Sequence, residues 1–519
     1  MRSENSGSPI SSAQIASRIQ TIVVIYKIGE RMFQSLLRLT KHSAIYGVGH
    51  VLSRSVVIFL LPLHTNLISK QEYGIATQLF AFMAIVAIIY SYGMNTAFLQ
   101  FFMLEKKQKK QKEIFSTAYF ATLASSILFS LVLVVSAGFV SRVLFGSPDY
   151  AHLIRISAGI LSLDAMLLLS FNVLRALEKS VNYVAINLIS VVINVFFNFY
   201  YISWANAGVT GIFYANLISS LATFFMLFPV TFKNLNWRFS KTRFKDMARF
   251  GLPFIPSTIS IAMMSVIDRF FINKYMGLEA AGVYGAGYKL ALIVNLMVTA
   301  FRFAWQPFFT SMADQKEARE VFARVFTYFA LLSSYFFLLF LMFVDQLVRF
   351  KFFGFTLFGK EFWNCSEIVP VIVLAYIFYG FYLNFNVGIY LEEKTRYLMY
   401  INAAGALITI IGNALLIPPM QLMGAAYSAL LAYGVMMALI YVVAQRIYYI
   451  RYEYGRLLRI VILTVFIFLL YEILELEFAT LVKIGLLAVY TLFLFLSGFF
   501  EKREISKFKS IMKKSLWQN

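Results

Sequence analysis

The sequence predicts an all-α polytopic membrane protein. Its expected architecture is roughly fourteen transmembrane helices, set as two pseudo-twofold-related six-helix lobes followed by two C-terminal helices. Three observations predict it. Hydrophobic residues make up 60% of the 519 residues and charged residues only 14%, too few to coat a water-soluble surface of that size. The apolar residues gather into continuous runs of about twenty, the length a helix needs to cross the hydrocarbon layer. Basic residues recur in every second connection between those runs. The runs lack the period-two alternation of a membrane barrel, so helices satisfy the buried backbone.

Taken in order, residues 1–43 form an N-terminal segment on the cytoplasmic side. It opens polar and Ser-rich, without the apolar stretch of a secretion signal. Residues 22–38 mix apolar side chains with Lys27, Glu30, Arg31 and Arg38, a pattern suited to an amphipathic interfacial helix. Spans are expected near 44–66, 75–99, 117–144, 153–174, 184–203 and 209–232, the first lobe of residues 44–235. The second lobe, 236–446, carries spans near 250–273, 281–307, 322–345, 366–390, 397–418 and 423–444. Two last spans near 457–473 and 478–500 occupy 447–500, and 501–519 is a basic cytoplasmic tail. These last two helices hold few polar residues and read as an appendix.

Charge placement orients the array. The net charge is +21, and 34 of the 46 Lys and Arg fall in segments assigned to the cytoplasmic face. That asymmetry places both termini in the cytoplasm. It also accounts for a basic balance that would otherwise suggest nucleic acid. The densest run, EKKQKKQKE at 105–113, is read as a cytoplasmic loop that also meets anionic lipid.

The two lobes carry a repeat. Asn187 and Asn198 bracket the fifth span as Asn402 and Asn413 bracket the eleventh, each pair offset by 215. Glu178-Lys179 and Glu393-Lys394 precede them at the same offset, and Tyr73-Gly74 matches Tyr284-Gly285 at 211. An offset covering six spans makes the repeats parallel, with a central cavity between them and rocking of the lobes as the natural motion.

Charges inside spans are costly and so point to a site. Arg54, Arg269, Lys289 and Arg302 are the candidate cations for a cavity that binds a pyrophosphate. The bland alternative is interhelical pairing, with Asp164 and Asp268 as partners; ion coupling is the other role open to those two acids. Asp268 and Arg269 are adjacent, so their side chains leave the helix about 100° apart and different partners are expected. Tyr288, Asn295, Thr299, Arg302 and Gln306 repeat at helical spacing along the eighth span, and His50 shares a face with Arg54; these form the polar lining. Pro62 and Pro256 are candidate hinges, whereas Pro253 reads as helix-start geometry. Most of the 55 Phe and 31 Tyr are assigned to helix packing and interfaces, with Tyr73, Tyr284 and Tyr288 set apart by their position alone.

No phosphate-binding GxxxxGK[ST] loop, HExxH motif or cysteine cluster occurs, and one cysteine, Cys365, excludes a disulfide framework. No enzyme activity, cofactor or metal is expected.

The residues then resemble a family. The stretch YGVGHVLSRSVVIFLLPLHTNLISKQEYGIA from Tyr46 and GMNTAF from Gly93 carry the resemblance in the first lobe. FGLPFIPS from Phe250 and IDRFFINKYMGLEAAGVYGAGYKL from Ile267 carry it in the second. Together they resemble O-antigen-flippase-like polysaccharide biosynthesis exporters of the multidrug/oligosaccharidyl-lipid/polysaccharide (MOP) superfamily, from about residue 41 to 500. The resemblance implies a cation-lined, V-shaped cavity between two six-helix lobes. It also implies movement of undecaprenyl-pyrophosphate-linked oligosaccharide from the cytoplasmic to the periplasmic leaflet of the bacterial inner membrane. Arg54, Asp268, Arg269 and Lys289 match charged positions of the family; Gln100 departs from it, standing where many relatives place an arginine.

The expected function is therefore flipping of a lipid-linked oligosaccharide for surface polysaccharide by alternating access, with H+ or Na+ as coupling ion. The expected partners are membrane lipids, a polysaccharide polymerase and glycosyltransferases, not nucleic acid, and the expected working unit is a monomer. Three alternatives stand beside this: a lipid II flippase, a cation-coupled multidrug exporter, and a non-transporting scaffold for polysaccharide assembly.

Overall fold

The computed structural model describes residues 58–313, 315–352, 354–474 and 480–501. The chain runs α1 (Leu61–Leu67), α2 (Lys70–Ser91), α3 (Met94–Leu104), α4 (Gln108–Val135), α5 (Ala137–Phe145), α6 (Ala151–Ala176), α7 (Ser180–Phe199) and α8 (Gly208–Asn234). The second half follows as α9 (Lys241–Gly251), α10 (Ile255–Met276), α11 (Leu278–Met312) and α12 (Ala318–Val348). A two-residue antiparallel pair, β1 (Lys351–Phe352) and β2 (Phe355–Thr356), leads to α13 (Val369–Phe385), α14 (Val387–Leu391) and α15 (Arg396–Ile447). The chain closes with α16 (Tyr454–Ile473) and α17 (Thr480–Leu496). Among the described residues ten helices are long and apolar enough to cross a bilayer. One of them, α15, bends at Gln421 (φ 53°) into the two spans expected there. The amphipathic stretch 22–38, the tail 502–519 and most of the first expected span lie outside the described residues.

Local chemistry sets the helix ends. Ser69 caps α2 by accepting the Glu72 backbone N–H at 3.3 Å, and its hydroxyl donates to the Glu72 carboxylate at 3.2 Å. Glu72 also accepts the backbone N–H of Val209 at 3.3 Å, so one carboxylate serves the positive ends of α2 and α8. Pro253 lies in a short 3-10 turn and Pro256 opens α10, while Pro62 sits in the first turn of α1. Each opens a helical segment at a break in a longer helical path, after Phe59 for Pro62 and after Gly251 for Pro253 and Pro256, where the absent N–H is tolerated. The basic run at 105–113 is only briefly a loop, because α4 already begins at Gln108.

The repeat is written in the backbone. Glu178 and Glu393 both adopt left-handed φ, 55° and 54°, and Asn206 and Gln421 do so at 48° and 53°, both pairs at the 215 offset. The hydrogen bonds repeat with them: Lys179 N–H to Leu174 at 2.9 Å, Lys394 N–H to Ile389 at 3.0 Å. Such helix-ending turns are disfavoured for residues with a Cβ, so their recurrence reflects a shared local fold.

The halves meet where α2 crosses α11. A Cβ at Gly74 would overlap the carbonyl oxygen of Leu278, one at Gly282 that of Lys70, and one at Gly285 the side chain of Thr77. Three glycines thus bring two backbones into direct contact. Near that crossing, Asn66 at the end of α1 donates to the carbonyl of Thr356 at 2.7 Å and accepts from its hydroxyl at 3.0 Å. The hydroxyl of Thr65 accepts the Gly359 N–H at 3.1 Å. At the other end, Gly93 packs on the backbone of Gly251, Phe101 on Phe250 at 5.9 Å, and Arg243 pairs with Glu105 at 3.6 Å.

The terminal helices are more firmly joined than an appendix would be. Tyr490 bonds Ser334 at 2.7 Å, Thr491 bonds Tyr335 at 2.9 Å, and Lys483, fully buried, donates to the Met342 carbonyl at 2.6 Å. These links fix α17 to α12.

The α2–α11 crossing gives a test. Gly282→Val should overpack it at a cost of about 1–3 kcal/mol to the closed arrangement. A cysteine at Thr77, buried there, should then react with a maleimide several-fold faster than in the Gly282 parent.

Candidate functional site

Asp268 and Arg269 lie on α10, 3% and 8% exposed, where that helix faces α11. The guanidinium doubles back on its own helix. Arg269 Nη1 donates to Asp268 Oδ1 at 2.7 Å, the Arg269 backbone N–H donates to the same oxygen at 2.9 Å, and Nη1 also donates to the Ser265 carbonyl. The expectation of separate partners is therefore corrected. The 100° rule governs the Cα–Cβ directions, whereas an arginine stem is long enough to swing its head back to a neighbour.

Each cation rests on a tyrosine. The Arg269 guanidinium carbon lies 4.1 Å from the centre of the Tyr288 ring, and Lys289 Nζ lies 4.8 Å from that of Tyr73. Tyr73 comes from α2, so this second contact spans the two halves. Tyr73 in turn meets Phe362 edge-on at 5.4 Å and His64 at 6.3 Å, and His64 Nε2 lies 3.0 Å from Asn198 Oδ1. His64 and Tyr73 thus belong beside the charged cluster. Sequence reasoning passed over His64 as one of four scattered histidines.

The structure does not gather all the expected site residues. Arg54 and His50 lie outside the described residues. Arg302 is fourteen residues beyond Tyr288 on α11, about 21 Å along the helix, exposed, with its guanidinium 5.7 Å from the Phe303 ring. It does not join Arg269 and Lys289 in one pocket, because helical periodicity put it on the same face but not at the same height. Along that stripe Tyr288 and Thr299 are buried, Asn295 is half-buried and Gln306 is exposed. Asp164, exposed on α6, accepts the Ser220 hydroxyl of α8 at 2.7 Å and is bonded within the first half rather than to these cations.

What joins the levels is a row of tyrosines. From Tyr288 the rings step to Tyr376 at 5.8 Å, Tyr433 at 6.4 Å, Tyr379 at 5.3 Å and Tyr382 at 5.9 Å. Tyr382 ends the row by donating to Asn402 at 2.9 Å. The signal was present in the sequence: Tyr376, Tyr379 and Tyr382 recur every third residue, near one helical face. Arg269, buried, and Lys289, half-buried, are each held against an aromatic face with hydroxyls nearby, an arrangement of cations that can attract an anion.

The fold, two helical halves meeting around buried charges, is shared with solved membrane proteins. Lipid II flippase MurJ in an inward closed conformation superposes with a TM-score of 0.72 at 13% identity, over 87% of this chain and 98% of that one. An inward-facing multidrug resistance MATE family transporter of the MOP superfamily follows at 0.61 and 12%, over 78% and 97%. Residues 65–367 match the family model described as polysaccharide biosynthesis protein, and the chain belongs to that family. An Lsg locus protein of Haemophilus influenzae is 24% identical over 54% of this chain and 68% of its own. Succinoglycan biosynthesis transport protein ExoT of Rhizobium meliloti is 23% identical over 50% of this chain and 51% of its own.

Removing one partner of a buried pair leaves a bare charge, at a cost of about 3–5 kcal/mol. Asp268→Ala should therefore lower the unfolding temperature in detergent clearly, while the neutral pair Asp268→Asn/Arg269→Gln should recover most of the loss.

Proposed function

We propose that this protein flips a polyprenyl-pyrophosphate-linked oligosaccharide from the cytoplasmic to the periplasmic leaflet of a bacterial inner membrane, supplying surface polysaccharide synthesis of the O-antigen type. The observation that carries this reading is the buried Arg269 beside Lys289, at the junction of two halves of a polysaccharide-biosynthesis family member. A pyrophosphate offers the charge and the paired oxygens that a guanidinium and an ammonium bind. Arg269 and Lys289 hold it in this proposal. Arg54 of the first expected span is proposed as a further cation for the same headgroup, and Arg302 meets it nearer the basic end.

Movement is a rocking of the halves. Closing contacts at both ends, Gly74 with Gly282 at one and Gly93 with Gly251 at the other, support alternating access. Asp268, in contact with the binding cation, and Asp164, on the first half, are the groups proposed to couple flipping to H+ or Na+. Both termini are cytoplasmic, the working unit is a monomer, the chain carries no enzymatic activity, and a polymerase and glycosyltransferases act beside it.

The test is flipping of a fluorescent polyprenyl-pyrophosphate oligosaccharide by purified protein in proteoliposomes. Arg269→Ala should reduce the rate at least tenfold, and the neutral pair Asp268→Asn/Arg269→Gln should do the same while remaining folded. Unchanged rates in both would overturn the site. Rescue of cells depleted of a lipid II flippase would move the substrate to the peptidoglycan precursor.

Coupling is tested separately. Asp268→Asn or Asp164→Asn should flatten the dependence of flipping on an imposed H+ or Na+ gradient; full dependence in both variants would remove the two acids from that role.

A further inference from the structure

A second feature lies away from the charged cluster, at the basic end of the first half. A groove of about 580 Å³ runs between α4, the α2–α3 junction and the connection into α9. Tyr92, Phe120, Phe129, Phe239 and Phe244 form its walls, and the small side chain of Ala124 leaves its floor open. The lining is almost wholly apolar, unlike that of a glycan path. Trp237, 77% exposed, lies 5.8 Å from Phe120 at its mouth. An exposed indole on such a rim marks the depth of a membrane–water interface.

The rim is cationic. Arg238, Lys241 and Lys245 alternate with the groove residues Phe239 and Phe244 on one short segment, all three exposed and without an ion pair among the described residues. Lys106, Lys107, Lys109, Lys110 and Lys112 stand at the start of the opposite wall, α4. Asp246, Glu105 and Glu113 are the acids nearby in sequence, and Glu105 is already paired with Arg243. An apolar slot at interface depth under a surplus of free cations matches a molecule with a hydrocarbon chain and a phosphate at one end. Each cation near an anionic surface contributes about 1 kcal/mol of attraction.

We propose that this groove is a binding site for an anionic phospholipid of the leaflet facing the basic end, with one acyl chain in the groove and its phosphate held by Arg238, Lys241 and Lys245. The lipid bridges parts that must separate if the halves rock. Tyr92 precedes Gly93, which packs on Gly251 of α9, and Phe244 lies on that same helix. A chain lodged between Phe120 and Phe244 fastens α9 to α4 and so favours closure at this end. The site is distinct from the Arg269 cluster and does not rest on what that cluster binds.

The experiment is native mass spectrometry of the purified full chain titrated with phosphatidylglycerol or phosphatidylcholine of identical acyl chains. At least tenfold stronger retention of phosphatidylglycerol is expected. Arg238→Gln/Lys241→Gln/Lys245→Gln should reduce that preference to about the phosphatidylcholine level. Ala124→Trp, which fills the floor, should remove the tightest adduct, with the unfolding temperature of both variants confirming the fold. Equal retention of the two lipids, or a phosphatidylglycerol adduct that survives both folded variants, would overturn the proposal. So would displacement of phosphatidylglycerol from the groove by a polyprenyl pyrophosphate at equal concentration, which would make the groove a substrate tail site. If Ala124→Trp fails to fold, Phe239→Ser, on the exposed side of the groove, takes its place with the same expected loss.

Discussion

The closed arrangement depends on how near two helices can approach. Gly74 on α2 and Gly282 and Gly285 on α11 remove the side chains that would keep the backbones apart, and the halves touch main chain to main chain. In a bilayer the lipid tails are as apolar as leucine, so such contact rests on close packing rather than on expulsion of water. Packing of this kind is strong at contact and negligible a few ångströms away. The same crossing brings Tyr73 under Lys289 and places Asp268 and Arg269 beside the junction.

Burying those charges demands compensation. Arg269 receives it from the neighbouring carboxylate, from the Ser265 carbonyl and from the face of Tyr288. The ion pair alone would roughly break even against its desolvation. The added aromatic and carbonyl contacts make the arrangement tenable. The tyrosine row from Tyr288 to Tyr382 supplies polar groups through an otherwise apolar half, so the cluster is not an isolated defect in the packing.

Much of the fold was legible. Apolar run length marked the helices, and the 215-residue offset of Asn187 and Asn402 foretold the matched left-handed turns at Glu178 and Glu393. The site was legible only as a set of residue types. Arg269 and Lys289 come together, but Arg302 shares their helical face at another height, since spacing along a helix fixes angle and not depth. Tyr73 stood out only by its position in the repeat and His64 not at all, because their roles arise from α2 and α1 docking against the second half. The terminal helices looked detached because their ties, such as Tyr490 to Ser334, join positions 156 residues apart.

The sequence by itself determined that this chain is a helical membrane protein, built by duplication and rich in cations at one face. Those properties follow from composition, run length and charge order, each additive along the chain and independent of packing. Tertiary structure alone decided which charges meet, which tyrosines receive them and where the halves touch. Those outcomes depend on the distances between helices, and a glycine permits close approach without specifying which backbone will fill the space it leaves.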